Sequence, residues 1–486
     1  MSAHENLSQI RAVQSTWAAS DLSERIARLA ALRRAIVARL PEIVDSICDW
    51  TRKVPTEALI GELYPVLDLL RYYEKNAQSI LRRKRVSRRF SFPNSSAFYE
   101  YRPFGIAAIF SPWNLPFQLS MVPAFSALTA GNAVVLKPSE ITPEVGALLL
   151  SLFSEAGYPE GLVTVVYGDR DAGARLIRQR PDLIFFTGGS DSGKAVMKQA
   201  AEYLIPVVLE LGGKDPMIVC SDAPWERSLN AAVYGAFCNA GQLCVSVERL
   251  LVDQSIHDRF VKELETKIET LNIGSGLGND VGPMISEHHA NRVEHQVREA
   301  LADGACTHPA FRREGRLIHP LLLTRVTPEM SIWKQENFGP VLPVLSFADP
   351  DEAIRLANDS AYGLNASVWT QDLEKGRRIA ARLEVGTCAV NDVIKNAGYP
   401  DLPFGGVKHS GFGCYHGPQG LWTFCRPQST MVNSGHLRTE VNWFPYSPDL
   451  HQHILRMMRL FHSGNAGVRD WIGALPTFRY FRRFMQ

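Results

Sequence analysis

Apolar positions along the chain change their spacing from region to region. Between Leu7 and Ala77 they recur every three or four residues, which predicts amphipathic helices. The stretch 87–103 alternates polar and aromatic residues around a Pro-Asn-Ser-Ser turn, and this pattern predicts a β-hairpin. Beyond it, short apolar runs alternate with helical segments, which is typical of a parallel sheet covered by helices on both faces.

The apolar runs fall into two groups along the chain. The first group comprises 105–110, 132–137, 162–168, 182–188 and 204–213, and the second begins near Ala231 and includes 248–253, 341–347 and 387–392. We therefore predict an α/β protein built from two α/β domains, with a boundary near Gly212 and Gly213.

Composition and charge exclude several classes of protein. The 486-residue chain has 45% hydrophobic and 21% charged residues, the balance of a folded globular protein. Its net charge of +2 and the absence of a basic stripe before the C-terminal tail do not favour nucleic acid binding. The N-terminal sequence MSAHENLSQIRAVQ lacks the order of a signal peptide, and no apolar run is long enough to span a bilayer. We expect a cytoplasmic protein.

One of the eight cysteines lies in a sequence that suits a nucleophile. The cysteines are scattered, without a CxxC pair or zinc-like spacing, so we expect neither disulfides nor a metal site. Cys244, however, ends the glycine-containing turn Asn-Ala-Gly-Gln-Leu-Cys just before the strand 248–253. A loop beside exposed backbone amides gives a thiol access and a lowered pKa. The alternative is a buried core cysteine.

Two polar residues beside predicted strands could act with this thiol. Glu210 stands in an apolar strand just before a double glycine, so its carboxylate is either paired, with Lys214 as the nearest cation, or raised in pKa toward a general base. Asn114 follows the strand 105–110 in a loop at the sheet edge where ligands bind, and its amide could donate to an oxyanion.

Two further strand ends suit a nucleotide cofactor. The strand 182–187 leads into the run Gly188–Gly193 and a helix, an arrangement that lets a helix N-terminus approach a pyrophosphate. The run departs from the GxGxxG fingerprint, so it is a weak signal alone. Lys137 and Glu140, after the strand 132–136, could hold ribose hydroxyls or simply form a solvated ion pair.

Taken in order, these segments resemble the aldehyde dehydrogenase superfamily over residues 5–433. The matching blocks are SPWNLPF (111–117), VVLKPSE (134–140), FTGGSDSG (186–193), LELGGK (209–214), NAGQLCVS (239–246), ENFGPV (336–341), YGLNASV (362–368) and PFGGVKHSGFG (403–413). The resemblance implies that Cys244 attacks the aldehyde and that the Asn114 side chain and the Cys244 amide stabilise the oxyanion. Glu210 would then activate water to release a free acid.

The same resemblance implies a nicotinamide cofactor and a set of residues that bind it. Lys137 and Glu140 would hold the adenosine ribose, Gly188 and Gly193 would flank the pyrophosphate, Glu336 would hold the nicotinamide ribose, Phe338 would pack near the nicotinamide, and Trp113 would line the cleft. Position 189 is Gly where many members have Ser. Because the carboxylate of Glu140 repels a 2′-phosphate, NAD is favoured, with NADP as the alternative.

Substrate and reaction type stay partly open at this stage. The segment 413–417 with Trp422 is similar to the subgroup for fatty and aromatic aldehydes, whereas 241–250 resembles bacterial succinate-semialdehyde dehydrogenases. An enzyme that transfers the acyl group to coenzyme A usually lacks the glutamate found at 210. A non-catalytic scaffold would have lost Cys244, Glu210 or Asn114, and all three are present.

The resemblance also implies a domain organisation. We expect a Rossmann-like nicotinamide-binding domain at 1–86 and 104–211, a catalytic domain at 212–420, and a small β oligomerisation arm at 87–103 and 421–433. Such an arm would pair with the sheet edge of another subunit, so we expect a homodimer or a tetramer.

Residues 434–486 extend past the shared part as a basic amphipathic extension. Ser447 and Pro448 resemble a helix start, and Leu450, Ile454, Met457, Met458 and Phe461 fall on one helical face. Residues 447–486 contain six arginines and two aspartates but no lysine or glutamate. Such a segment either packs on its own subunit or a partner, or makes peripheral contact with a membrane.

Overall fold

The structure is a computed structural model that describes residues 7–87, 89, 92, 94–465 and 467–485. Helices account for the predicted N-terminal region and cover the sheets. The principal α-helices are Leu7–Ala19, Leu22–Ala38, Leu40–Thr51, Tyr64–Leu81, Pro116–Thr129, Val145–Glu155, Arg170–Arg178, Ser190–Ala201, Trp225–Phe237, His257–Glu269, Glu287–Ala302, Pro350–Asn358, Leu373–Ala380 and Gly417–Trp422. A π-helical turn, Ala58–Leu63, precedes Tyr64–Leu81.

A six-stranded sheet forms the first layer of the protein. Its strands in spatial order are Gly411–Phe412, Val207–Glu210, Leu183–Thr187, Ile106–Phe110, Ala133–Lys137 and Val163–Val165. All neighbours are parallel except Gly411–Phe412, which pairs antiparallel. Every residue of Ile106–Phe110 is buried, as expected for a strand covered by helices on both faces.

A seven-stranded sheet forms the second layer. Its strands in order are Cys306–His308, Leu321–Thr324, Val341–Phe347, Val247–Asp253, Asp215–Val219, Asn365–Trp369 and Thr387–Val390, and only the first pair is antiparallel. A separate hydrophobic core surrounds this sheet. The prediction of an α/β fold is confirmed. Four of these strands were not predicted: Cys306–His308, Leu321–Thr324, Asp215–Val219 and Asn365–Trp369.

The described residues fall into two compact units, one made of residues up to 82 with 101–427 and the other of 83–100 with 428–486. Strand Gly411–Phe412, from the segment predicted as catalytic, joins the first sheet. A three-stranded sheet contains Lys84–Val86, Ser95–Pro103 and Cys425–Asn433, in that order. The hairpin pairs Lys84 with Tyr99, and Pro93 of its predicted turn lies outside the described residues.

Three helices form the C-terminal extension: Pro448–His462, Val468–Gly473 and Leu475–Met485. Ser447 caps the first, because its Oγ accepts from the Leu450 amide at 3.1 Å. Leu450 and Leu460 are buried, whereas Met458 and Phe461 of the predicted apolar face are exposed. No helix within the described ranges is both long and apolar enough to cross a membrane.

Candidate active site

A left-handed turn holds Cys244 in position. Asn239, Ala240 and Gly241 have φ angles of 51°, 54° and 70°. A Cβ at Gly241 would stand 2.2 Å from the Gly339 carbonyl oxygen, so only glycine fits this approach. The Asn239 side-chain amide donates to the Gln242 carbonyl at 3.1 Å, which fixes the turn from within.

The thiol of Cys244 is a poor acid in this setting. Burial and the neighbouring carboxylates of Asp215, Glu336 and Glu210 raise its pKa well above the ordinary range. The expectation of a lowered pKa is therefore wrong. The backbone amides of the loop do not outweigh desolvation and three nearby acids. The thiol is neutral near pH 7, and the reaction must include a step that removes its proton.

Glu210 lies at the end of the strand Val207–Glu210 with its carboxylate buried. Neither carboxylate oxygen makes a hydrogen bond to any described residue. Burial raises the pKa of this carboxyl well above its usual value. The alternative of a salt bridge to Lys214 is wrong, because the Lys214 ammonium instead contacts Glu248 at 2.8 Å. Glu210 thus has the environment of a general base rather than of a structural ion pair.

Asn114 is anchored by a buried ion pair. Its side-chain amide donates to the Gln242 carbonyl at 2.9 Å, beside the cysteine turn. Its own carbonyl accepts from the Lys53 ammonium at 2.8 Å. Lys53 pairs with Glu62 at 2.6 Å, both side chains being almost fully buried, and Glu62 also accepts from the Phe117 amide. The amide of Asn114 is therefore held rigidly, as an oxyanion donor requires.

A second buried ion pair positions the loop that carries Glu336 and Phe338. Glu248, held by Lys214, accepts from the backbone amides of Asn337 and Phe338, both at 2.9 Å. Phe338 has a φ of 53°, in the left-handed region. This loop conformation is disfavoured for a bulky residue and is kept by the buried carboxylate.

The Glu336 side chain contacts the loop that contains Gly212 and Gly213. Its Oε1 accepts from the Gly213 amide at 3.0 Å. Burial and the nearby charge of Glu248 raise the pKa of Glu336 to about 8. Glu336 thus accepts a hydrogen bond from the Gly213 amide while burial disfavours its ionised form.

These residues surround a small cavity of about 160 Å³. Seven of the ten predicted site residues line it: Trp113, Asn114, Gly188, Glu210, Cys244, Glu336 and Phe338. The other three lie outside this lining. Lys137 and Glu140 form an ion pair of 3.2 Å, with Glu140 exposed. Gly193 lies in the first turn of Ser190–Ala201, where an added Cβ would stand 2.6 Å from Leu211.

A large cavity of about 1410 Å³ also reaches Cys244. Cys244 and Leu119 line both cavities, so each space borders the residue that carries the thiol. The large cavity is lined by many aromatic and aliphatic side chains, including Ile60, Tyr64, Tyr72, Leu115, Val233, Tyr234, Phe237, Leu243, Ile394, Tyr399, Phe404 and Tyr415.

The sequence did not indicate several residues of these two cavities. His289 and Arg292 line the small cavity, where the His289 ring meets Trp113 at 4.6 Å between centroids. Burial and neighbouring positive charge lower the pKa of His289 to about 4, so this ring is neutral. Leu119 lies five residues after Asn114. Nothing in the local sequence distinguishes Leu119 or His289 from ordinary helical residues.

Comparison with known proteins identifies the class. A family model described as "Aldehyde dehydrogenase family" matches residues 2–430. The solved structure of an NAD-dependent aldehyde dehydrogenase from Sinorhizobium meliloti aligns with a TM-score of 0.86 at 32% identity, covering 91% of this chain and 89% of that one. A Mycobacterium tuberculosis aldehyde dehydrogenase complexed with NAD+ gives 0.82 at 31% identity, covering 86% and 87%. The chain belongs to the aldehyde dehydrogenase family and is an oxidoreductase.

One relative matches beyond the family region. The 4,4'-diapolycopene aldehyde oxidase of a Methylomonas species is 49% identical over 485 residues, which covers 99% of this chain and 91% of that protein. The alignment therefore includes the C-terminal extension, which the family model does not reach.

Proposed function

We propose that this enzyme oxidises a long, apolar polyene aldehyde to its carboxylic acid, with NAD as the oxidant. The observation that carries the proposal is the cavity of about 1410 Å³ that ends at Cys244. Ligand pockets usually measure about 300–1,000 Å³, so this space exceeds what a short aldehyde needs. The similarity to a 4,4'-diapolycopene aldehyde oxidase points to the same substrate class.

In the proposed mechanism the Cys244 sulfur attacks the aldehyde carbon. The thiol proton leaves to solvent, so the carboxylate of Glu210, which lines the same small cavity, stays free for the later hydrolysis. The Asn114 side-chain amide and the Cys244 backbone amide stabilise the negative charge that forms on the aldehyde oxygen. A bound nicotinamide would supply the acceptor for the hydride that leaves the former aldehyde carbon. Loss of this hydride leaves a thioester on Cys244. Glu210 then takes a proton from water, whose oxygen displaces the sulfur to give the acid.

Residues around the small cavity fit a dinucleotide. Gly188 and Gly189 line it just before the helix Ser190–Ala201, and Gly189 has no atom within 4 Å of where a Cβ would stand. Backbone can therefore approach a phosphate closely at the positive end of that helix. Glu336 offers a carboxylate for ribose hydroxyls. The exposed carboxylate of Glu140 disfavours the 2′-phosphate of NADP, so we propose NAD.

The charged residues that line the large cavity favour an apolar substrate over the semialdehyde of a small dicarboxylic acid. Three cationic side chains line the cavity but are exposed to solvent: Arg71, Lys75 and Lys395. Lys267, which also lines it, is held in an ion pair with Glu226 at 3.1 Å. The buried lysine, Lys53, is committed to Glu62 and to the Asn114 carbonyl. A substrate carboxylate deep in this cavity would lose its hydration without gaining a free cation.

We also propose the assembly and location expected from the sequence. These are a homodimer or tetramer formed through the β arm, a cytoplasmic location, and peripheral membrane contact through residues 447–486. Light scattering of the purified protein tests the assembly, and cell fractionation tests the location.

Initial rates test the substrate and the acceptor. NADH formation would be measured with 4,4'-diapolycopene aldehyde in detergent micelles, dodecanal, benzaldehyde and succinate semialdehyde, with NADP and coenzyme A as alternative co-substrates. We expect the highest kcat/KM for the polyene aldehyde with NAD, and no acceleration by coenzyme A. Preference for succinate semialdehyde, or a requirement for coenzyme A, would refute the proposal.

A further inference from the structure

An apolar surface lies at one end of the C-terminal helices. Met458, Val468, Trp471, Ile472 and Leu475 are all exposed, Val468 at 77% and Ile472 at 60%. We call these five residues the apolar tip. Exposed apolar side chains are common singly, whereas five of them between residues 458 and 475 indicate an interaction surface.

Packing inside the extension holds the tip in one place. The Trp471 ring meets Phe461 edge-on at 5.3 Å and stacks parallel to Phe478 at 6.4 Å, which links the three helices. Val468 lies three residues before Trp471 in the same helix, so the two side chains share one side of it, and Leu475 begins the next helix. Leu450, Leu460, Ala474 and Thr477 are buried between the helices. The apolar tip therefore consists of side chains that remain on the surface of the extension once its core is packed.

Arginines outnumber acidic residues beside the tip. Arg459 and Arg469 adjoin Met458 and Val468 in sequence, and both arginines are exposed. Of the two acidic residues in 447–486, Asp470 is used locally, accepting from the Gly467 amide at 2.8 Å. An apolar surface flanked by arginines complements the interface of a bilayer with negatively charged headgroups, where side chains insert among acyl chains and cations meet phosphates.

We infer that the apolar tip inserts into the surface of a membrane that contains anionic phospholipid, with Arg459 and Arg469 on the headgroups. This inference rests on the proposed function to the extent that a polyene aldehyde is dissolved in lipid and must be collected there. It is narrower than the sequence-based prediction, which gave membrane contact to residues 447–486 as a whole and placed Leu450 on the apolar helix face. Leu450 is instead used in the core of the extension.

Vesicle flotation with the full-length enzyme tests the inference. Vesicles of phosphatidylcholine with 30% phosphatidylglycerol are expected to carry the wild-type enzyme, and pure phosphatidylcholine much less. The double variant Val468→Glu/Ile472→Glu should bind anionic vesicles at least tenfold more weakly. Leu277→Glu is the matched control, since Leu277 is 81% exposed in the other unit and should leave binding unchanged.

A second variant and a second readout separate the possible failures. Arg459→Glu/Arg469→Glu changes only exposed side chains and should lower binding to anionic vesicles about tenfold. Turnover of hexanal with NAD reports folding and should be the same in every variant, whatever the physiological aldehyde. Wild-type flotation unaffected by either double variant would overturn the inference. So would a loss of oligomerisation in Val468→Glu/Ile472→Glu without any vesicle binding by the wild type, because the tip would then be a contact between subunits.

Discussion

The small and the large cavity meet at Cys244 but are built in different ways. Loops around the small cavity are tied to the buried pairs Lys53–Glu62 and Lys214–Glu248 through backbone hydrogen bonds. The large cavity is bounded mainly by side chains from many separate segments. Chemistry on the small side therefore depends on a few fixed backbone positions, whereas substrate choice on the large side depends on the size of many side chains.

Removing the sulfur of Cys244 should have the largest effect, because this residue borders both cavities and the reaction depends on its thiol. We expect Cys244→Ala to lower NADH formation by about 10⁴-fold or more, as found when a covalent nucleophile is deleted. Binding of NAD, followed by the quenching of tryptophan fluorescence, should stay near the wild-type value. Residual turnover above a tenth of the wild-type rate would place the nucleophile elsewhere.

Breaking the buried ion pair that anchors Asn114 should reduce stability strongly. Lys53→Met leaves Glu62 as an uncompensated buried charge, and such a change costs about 3–5 kcal/mol in the free energy of unfolding. Urea denaturation measures it. Lys194→Met is the control, because its pair with Asp191 is exposed on both sides, and we expect a change within about 0.5 kcal/mol. Equal effects of the two substitutions would contradict the comparison.

The pH profile should reflect the buried base of the small cavity. Burial raises the pKa of Glu210, and the base is its deprotonated form, so the base is scarce at low pH and increases as pH rises. The steady-state rate should therefore increase from pH 6 toward pH 9. Glu210→Gln should lower that rate by about 10²–10⁴-fold and remove the dependence on this group. A rate in the wild type that falls over the same interval would be inconsistent with a base at Glu210.

Filling the large cavity should change substrate choice without touching the chemistry. Gly61 lines this cavity, and an added Cβ would meet only Leu115 at 3.8 Å, an ordinary contact. We expect Gly61→Phe to lower kcat/KM for long aldehydes about 10- to 100-fold by occluding the space, while hexanal turnover stays within twofold. The ratio of the two rates is the measurement. Equal losses for both aldehydes would mean that the wall does not select by length.

The smallest effect is expected from substituting Gly189, a glycine that lines the small cavity. Gly189 is the N-cap of Ser190–Ala201, with backbone angles that any residue adopts and open space beside it. Gly189→Ser adds a cap and a hydroxyl that can reach a phosphate, so KM for NAD should fall a few-fold while kcat is kept. The KM for aldehyde should not change.

The sequence predicted the residues of the small cavity much better than those of the large cavity. Asn114 follows a strand and Glu210 ends one just before two glycines, so short local segments set their positions, whereas Glu336 was implied by the family resemblance. The partner of Lys214 could not be predicted, because it depends on Glu248, 34 residues away along the chain. The pKa of Cys244 was misjudged for the same reason, since burial and Asp215 act only in the folded protein.

The side chains that line the large cavity could not be identified from their local sequence. Ile60, Tyr234 and Tyr399 are ordinary members of helices and loops in sequence, and only the packing of distant segments makes them neighbours. Even the strands were predicted unevenly: Ala133–Lys137 was found, and Asn365–Trp369, which includes a polar serine, was not. A periodicity argument detects continuous apolar runs more readily than mixed ones.

Trapping the covalent intermediate tests the central claim most directly. Glu210→Gln would be mixed with NAD and 4,4'-diapolycopene aldehyde, and the intact mass and peptide map would be recorded after one turnover. We predict one NADH per subunit and a polyene acyl group attached to Cys244. NADH formation with the acyl group on another residue, or acylation of Cys244 by succinate semialdehyde but not by the polyene aldehyde, would contradict the account.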